Sequence, residues 1–241
     1  GRGLPGWAES LPTYDEGETV ATRKASGACL DAMATTVPGL VAGGADLTGN
    51  TGTTVDRPTV PEQPDGGQFH FGIREHGMGG IMNGMALHGG LVPVGGTFLV
   101  FSDYMRGSVR LAALSGAKVV YSWTHDSVGV GEDGPTHQPV EHVAALRAMP
   151  NVTVVRPADA VETAEAWAMA ITNESGPTVL ALTRQNLPTL RTDYREDNLV
   201  ARGGYVISDC DGERQVTLIA TGSEVEIAVN AQAALKADGI N

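Results

Sequence analysis

Phe71-Gly72-Ile73-Arg74-Glu75-His76-Gly77-Met78 joins a short apolar strand to a long helix rich in glycine, alanine and methionine. The seam carries a carboxylate and an imidazole at the start of that helix. A glutamate in a first helical turn is favoured by the helix dipole alone, and a pairing with Arg74 would give it no further role. If it is dehydrated instead, it keeps its proton near neutrality and can share it with a ligand nitrogen. The helix after it is unusually small-sided, with Gly77, Gly79, Gly80, Gly84 and Ala86. Such a helix packs closely on another backbone, at an interface or beneath a cofactor, which favours the second reading.

Working outward, apolar runs at 40–42, 69–72, 91–94, 119–123, 152–155 and 178–183 read as strands. Between them, 22–37, 75–87, 101–114, 139–148 and 160–172 read as helices. The first helix offers Ala28, Leu30, Met33 and Ala34 for burial. This alternation predicts an α/β fold, a parallel β-sheet with helices on both faces. Ligands sit beyond the carboxyl ends of such strands. The loops there are 43–50, 72–76, 95–98, 123–138 and 183–188.

Four segments follow from this pattern. Residues 1–18 lack periodicity and read as an arm, and 19–190 form the α/β domain. Residues 191–203 read as a linker, and 204–241 open a second unit with strands at 205–207 and 216–220 and a helix at 224–237. Two strands and one helix cannot make a core alone, so this unit reads as incomplete.

Composition excludes several classes. With 41% hydrophobic and 18% charged residues, the 241-residue chain reads as globular. A formal charge of −12 argues against a nucleic-acid binder. It leaves room for a small phosphorylated substrate, which needs two or three local cations. Cys29 and Cys210 read as reduced and buried, as in a cytoplasmic protein. No run approaches the ~20 apolar residues of a membrane span, and no signal peptide is read before the first helix.

Three further groups carry potential chemistry. Phe98, Phe101 and Tyr104 recur at a spacing of three, although aromatic residues make up only 5% of the chain. A core stripe explains Tyr104, whereas Phe98, placed in a Gly95-Gly96-Thr97 turn, suits stacking on a flat heterocycle. His125, Asp126, Asp133 and His137 fall within thirteen residues of glycine-rich loop. Substrate-hydroxyl recognition and proton relay fit them better than a metal, since no familiar ligand spacing appears. Glu132 beside them reads as a solvated charge. Arg23, Arg184 and Arg156 are the candidate cations. A lone arginine is more often structural, but Arg184 follows a strand end and can reach the common crevice as a phosphate clamp. There is no Walker A loop, no Rossmann glycine triplet and no nucleophile elbow. Nor is there a Gly-Asp-Gly segment with a downstream Asn to hold a metal diphosphate.

These segments together resemble the transketolase family. The resemblance lies in Ala21-Thr-Arg-Lys24, Gly44-Ala-Asp-Leu-Thr48, Phe71-Gly-Ile-Arg-Glu-His76 and Gly95-Gly-Thr-Phe-Leu-Val-Phe101. It continues in Thr124-His-Asp-Ser127, Gly129-Val-Gly-Glu-Asp-Gly-Pro-Thr-His-Gln-Pro139, Arg184-Gln-Asn-Leu-Pro188 and Ala220-Thr-Gly-Ser-Glu224. It covers the family's pyrimidine-binding middle domain and the opening of its C-terminal domain. It does not cover the domain that holds the thiamine diphosphate tail and its Mg²⁺ or Ca²⁺.

The resemblance implies two-carbon ketol transfer between sugar phosphates, in the pentose phosphate pathway. Glu75 then corresponds to the glutamate bonding the aminopyrimidine ring nitrogen. Phe101 corresponds to its stacking partner, with Phe98 and Tyr104 beside it and Asp46 and Leu47 near the cofactor. Asp133 resembles the reader of the donor hydroxyl, and His137 the imidazole at the reacting oxygens. Arg23, His125 and Arg184 resemble the set holding the sugar phosphate. Asn50 stands where the family usually has a serine, and its amide can still donate to phosphate. Sites shared between subunits imply a homodimer, with the helix from Gly77 to Ala86 as a contact surface. A diphosphate-binding domain, from elsewhere in the protein or a second subunit, must complete each site, so the isolated chain is expected to be inactive. The alternatives are a relative such as dihydroxyacetone synthase or deoxyxylulose phosphate synthase, the latter disfavoured by Arg74-Glu75-His76. A non-catalytic assembly partner is a third, disfavoured by Glu75, Phe101, Asp133 and His137 occurring together.

Overall fold

The computed structural model describes residues 3–192 and 197–241. The first two residues of the predicted arm, and 193–196 of the predicted linker, lie outside the described residues. Six parallel strands form the central sheet: β2 (Leu40–Gly44), β3 (Gln68–His70), β4 (Val92–Phe98), β5 (Val120–Thr124), β6 (Thr153–Val155) and β7 (Thr178–Leu182). Their spatial order is β3-β2-β4-β5-β7-β6. Two short strands unforeseen in the sequence, β1 (Thr19–Ala21) and β8 (Asn186–Pro188), pair antiparallel outside it.

The helices divide between the faces, as the alternation predicts. On one face α1 (Thr22–Met33) and α5 (Ala160–Thr172) bury Cys29, Leu30, Met33, Trp167 and Ile171 against Val92, Val94, Val120 and Leu180. Trp167 Nε1 donates to Ser26 Oγ at 2.9 Å and ties these two helices together. Ala28 of α1 faces outward instead, because the buried stripe runs through Ala25, Cys29 and Met33 at spacing four. On the other face α2 (Glu75–His88), α3 (Arg106–Ser115) and α4 (His142–Arg147) cover Tyr121, Trp123, Val179 and Ala181. Adjacent residues of β5 and β7 thus serve opposite cores, as the two-residue period of a strand requires.

Three expectations need correction. Gly95, Gly96 and Thr97 are no turn; they continue β4 to Phe98. Both glycines are there for space. A Cβ on Gly95 would come within 2.3 Å of Met82 Sδ on α2, and one on Gly96 within 2.3 Å of Thr51 Oγ1 on the opposite side. The segment after β4 is likewise no simple helix: Leu99–Met105 winds as a 3-10 helix before α3 begins. Residues 205–207 and 216–220 form no strand; Val206, Val216, Leu218 and Ile219 are exposed and have no neighbouring strand to pair with among the described residues. The helix α6 (Glu224–Ala237) forms as predicted. Cys29 is buried, but Cys210 is only half-buried, on this open segment.

Candidate active site

The carboxyl ends of β2, β4, β5 and β7 converge on one crevice, and most of the sequence-predicted residues meet there. The 3-10 helix decides how the aromatic residues stand. Its side chains eclipse every three residues with a rise of about 2 Å each, so residues three apart stack with a pitch of about 6 Å. Phe101 and Tyr104 lie on it with centroids 5.9 Å apart, and Phe98 at its cap adds a third ring 5.8 Å from Phe101. The spacing of three is therefore a ring column. Tyr104, which a core-stripe reading would bury, is 67% exposed.

The acid–base loop closes on that column. His137 stands edge-on to Phe98 and Phe101, at 5.8 and 5.4 Å. His125 lies against Phe98 with centroids 3.6 Å apart. Its backbone holds a φ of 58°, a region that non-glycine residues rarely enter away from functional or strained sites. Burial is the main cause that brings the His125 ring down to about 4, helped by the nearby Arg23 and Arg184 and opposed by Asp133. At neutral pH it is therefore an uncharged imidazole.

Both imidazoles are oriented the same way. Thr124 Oγ1 bonds His125 Nδ1 at 2.9 Å, and Thr136 Oγ1 bonds His137 Nδ1 at 2.9 Å. The hydroxyls leave Nε2 as the working nitrogen of each ring, an arrangement common for catalytic histidines. The two threonines were missed, although the repeated Thr-His pair was visible in the sequence.

Charges frame the crevice. Asp133 Oδ2 lies 3.9 Å from His125 Nε2 and 3.5 Å from Arg184 Nε. Glu132 stands 3.9 Å from Arg184 Nη2 and is otherwise solvated, as expected. Arg23 Nη1 donates to the Asn50 carbonyl at 3.0 Å, so Asn50 meets Arg23 through its backbone. Burial and the like charge of Arg184 hold the Arg23 guanidinium below its ordinary value. Two arginines facing each other across a carboxylate make a natural cradle for an anion.

Glu75 opens α2 and is only 8% exposed. Its carboxylate has no side-chain partner among the described residues, and Arg74 turns away to the Phe71 carbonyl. Gly79, one turn further on, packs against Met105 at the end of the 3-10 helix, which brings α2 beside the ring column. At the end of β2, Asp46 is exposed with φ 70° and Leu47 is half-buried. Their turn is tied to β4 through Ala45 N to Gly96 O at 3.0 Å.

Two residues grouped with the site by sequence stand apart from it. Asp126 follows His125 but points the other way, where its buried carboxylate accepts from Arg156 Nε at 2.7 Å. Arg156 also pairs with Glu224 and donates to the Thr221 carbonyl. It clamps the second unit to the first, and is no phosphate ligand.

Residues 18–189 match the model of the transketolase pyrimidine-binding domain. The chain belongs to the transketolase family. Residues 203–241 match the transketolase-like C-terminal domain. The chain is 59% identical over 228 residues to a transketolase of Cereibacter sphaeroides, and 52% identical over 240 residues to one of Geobacillus stearothermophilus. These matches take in 93% and 98% of this chain but 34% and 36% of the relatives, so the chain spans about a third of their length. A Pichia stipitis transketolase solved in complex with sedoheptulose 7-phosphate superposes with a TM-score of 0.92 at 43% identity, over 98% of this chain and 36% of that one. A split-gene transketolase, described as an inactive β4 tetramer, superposes with a TM-score of 0.74 at 29% identity. It covers 92% of this chain and 68% of that one.

Proposed function

We propose that this chain supplies the pyrimidine-binding half of a thiamine-diphosphate-dependent transketolase, which moves a two-carbon ketol unit from a ketose phosphate to an aldose phosphate. The observation that carries the reading is Glu75, 8% exposed and without a side-chain hydrogen-bond partner among the described residues, at the start of the helix that packs on the ring-bearing 3-10 helix. A carboxylate placed that way is available to a ligand nitrogen and can share a proton with it. The rings supply the flat apolar surface that such a heterocycle needs. The residues present therefore fit the pyrimidine end of the cofactor. When bound, thiamine diphosphate supplies the nucleophilic carbon on which the two-carbon unit travels.

The chain's own residues do the rest. Glu75 holds a proton against the pyrimidine, and Phe101 stacks on it, with Phe98 and Tyr104 completing the wall and Asp46 and Leu47 beneath. Asp133 reads a donor hydroxyl. His137 and the neutral His125 accept or return protons at the substrate oxygens through Nε2. Arg23 and Arg184, with Asn50 at the rim, hold the phosphate. The resemblance assigns Mg²⁺ or Ca²⁺ to the diphosphate-binding half.

That half comes from another domain or subunit, and the working assembly is a homodimer. The outer face of α2 suits this contact, with Gly80 and Gly84 open and Ile81 and Leu87 exposed. The inactive split-gene relative agrees with an isolated chain that lacks activity. The reading places the protein in the cytoplasm and in the pentose phosphate pathway. The test is ketol transfer by the chain alone and after completion with a diphosphate-binding half. Activity is expected only in the second case, and only while Glu75 is intact; transfer by the pure isolated chain overturns the proposal.

A further inference from the structure

The ring column keeps its pitch only while Leu99–Met105 stays wound as a 3-10 helix. Seven residues exceed the three or four over which that winding normally persists. The helix must therefore be held from outside. On one flank Met105 and Ser108 press on Gly79 of α2, and Asn83 Nδ2 donates to the Ser108 carbonyl at 2.8 Å.

The other flank is held by a pair outside the crevice, Asp103 and His142. Asp103 lies between Phe101 and Tyr104, and its carboxylate accepts from His142 Nε2 at 3.1 Å. His142 opens α4, five residues beyond His137, and is 6% exposed. The acid–base loop and its helix thus touch the ring-bearing segment twice, through His137 on the rings and through His142 on Asp103. No other side-chain hydrogen bond joins α4 to this segment among the described residues. The second ring nitrogen, Nδ1, is buried without a hydrogen-bond partner, and the Glu141 carboxylate stands off at 3.9 Å. An apolar side chain of similar size would avoid that cost. The histidine is therefore explained by its bond to Asp103, and not by its volume.

We infer that His142 is a positioning residue, which acts through Asp103 to lock the ring column against the acid–base loop. The stacking surface and the His137 imidazole then keep one mutual geometry. The inference rests on the reading of the column as the cofactor's stacking wall.

The test uses the complete enzyme containing this chain, with Asp103→Ala, His142→Phe and Asp103→Asn. The first two are expected to raise the thiamine diphosphate concentration for half-maximal activity about tenfold, while kcat at saturation changes less than about threefold. Asp103→Asn keeps an acceptor for the ring N–H and restores cofactor affinity. The melting temperature stays within a few degrees throughout. Unchanged cofactor affinity in both disruptive variants overturns the inference. So does a common fall of kcat and melting temperature with affinity intact, which marks a purely structural pair. Glu75→Gln serves as the control: if that enzyme remains active, the stacking-wall reading itself fails, whatever Asp103 does.

Discussion

The His125 ring lies 3.6 Å from the Phe98 ring, closer than any other aromatic pair in the crevice. Its position against an apolar ring, with two arginines nearby, explains its loss of basicity. The unfolded chain binds a proton at His125 below about 6.5, whereas the folded chain does so only below about 4. Between those values the unfolded state holds more protons, so this group's contribution to stability falls as pH falls from 6.5 to 4. It is fully present above that window and lost across it. Urea titrations of wild type and His125→Asn across this window should converge toward low pH. NMR titration of the ring near pH 4 would show the cause directly; a midpoint near 6.5 would refute it.

Glu75 is expected to matter for activity and not for the fold. It is 8% exposed and has no side-chain hydrogen-bond partner among the described residues. Glu75→Gln should leave the melting temperature of the unliganded chain within a few degrees of wild type. In the complete enzyme the same change should cut activity by two orders of magnitude or more. A variant that folds normally and keeps the wild-type rate would refute the role.

Arg156 and Asp126 are expected to behave as a buried pair. The Asp126 side chain is fully buried and that of Arg156 is 9% exposed. Burial raises the Asp126 carboxyl above its ordinary range, against the pull of Arg156. Arg156→Met should destabilise the chain by about 3–5 kcal/mol, because an uncompensated carboxylate stays inside. It should also free residues 221–224, seen as faster proteolysis of the C-terminal segment. Adding Asp126→Leu should recover most of the stability but not the protection, since the Glu224 and Thr221 contacts remain lost.

Gly96→Ala tests how tightly the crevice floor is built. Its new Cβ would meet Thr51 and Thr53, within the turn that carries Asp46, Leu47 and Asn50. A cost of about 1–3 kcal/mol is expected from overpacking, with a rise in the concentration of sugar phosphate needed for half-maximal activity. Unchanged stability would show that the turn gives way freely.

Much of this was readable from residues alone, and the reasons for the failures are local. Glu224–Ala237 and Ala160–Thr172 match their predicted bounds because helical periodicity persists between clear stops. Gly95 and Gly96 misled because glycine is usually a sign of a turn, and here it makes room for a helix on one side and a loop on the other. Asp126 was grouped with His125 by adjacency, yet successive residues at a strand end point opposite ways. The strands expected at 205–207 and 216–220 show the limit of apolar patterning, since a strand needs a neighbour as well as a sequence. The roles of His142 and Asp103 could not be read at all, because a separation of 39 positions leaves no local trace of their contact.

The pitch of the ring column limits what can bind there. Two flat rings need about 3.5–4 Å between carbon atoms, so sliding a third between a pair would take a gap of about 7 Å. Neighbouring ring centres here are only 5.8 and 5.9 Å apart. A heterocycle cannot slip between neighbours without unwinding the backbone; it has to meet Phe101 from the open side of the wall. Selection at this wall is thus a matter of fixed rungs, where redesign for a bulkier cofactor would have to change the winding of the chain before the identity of any side chain.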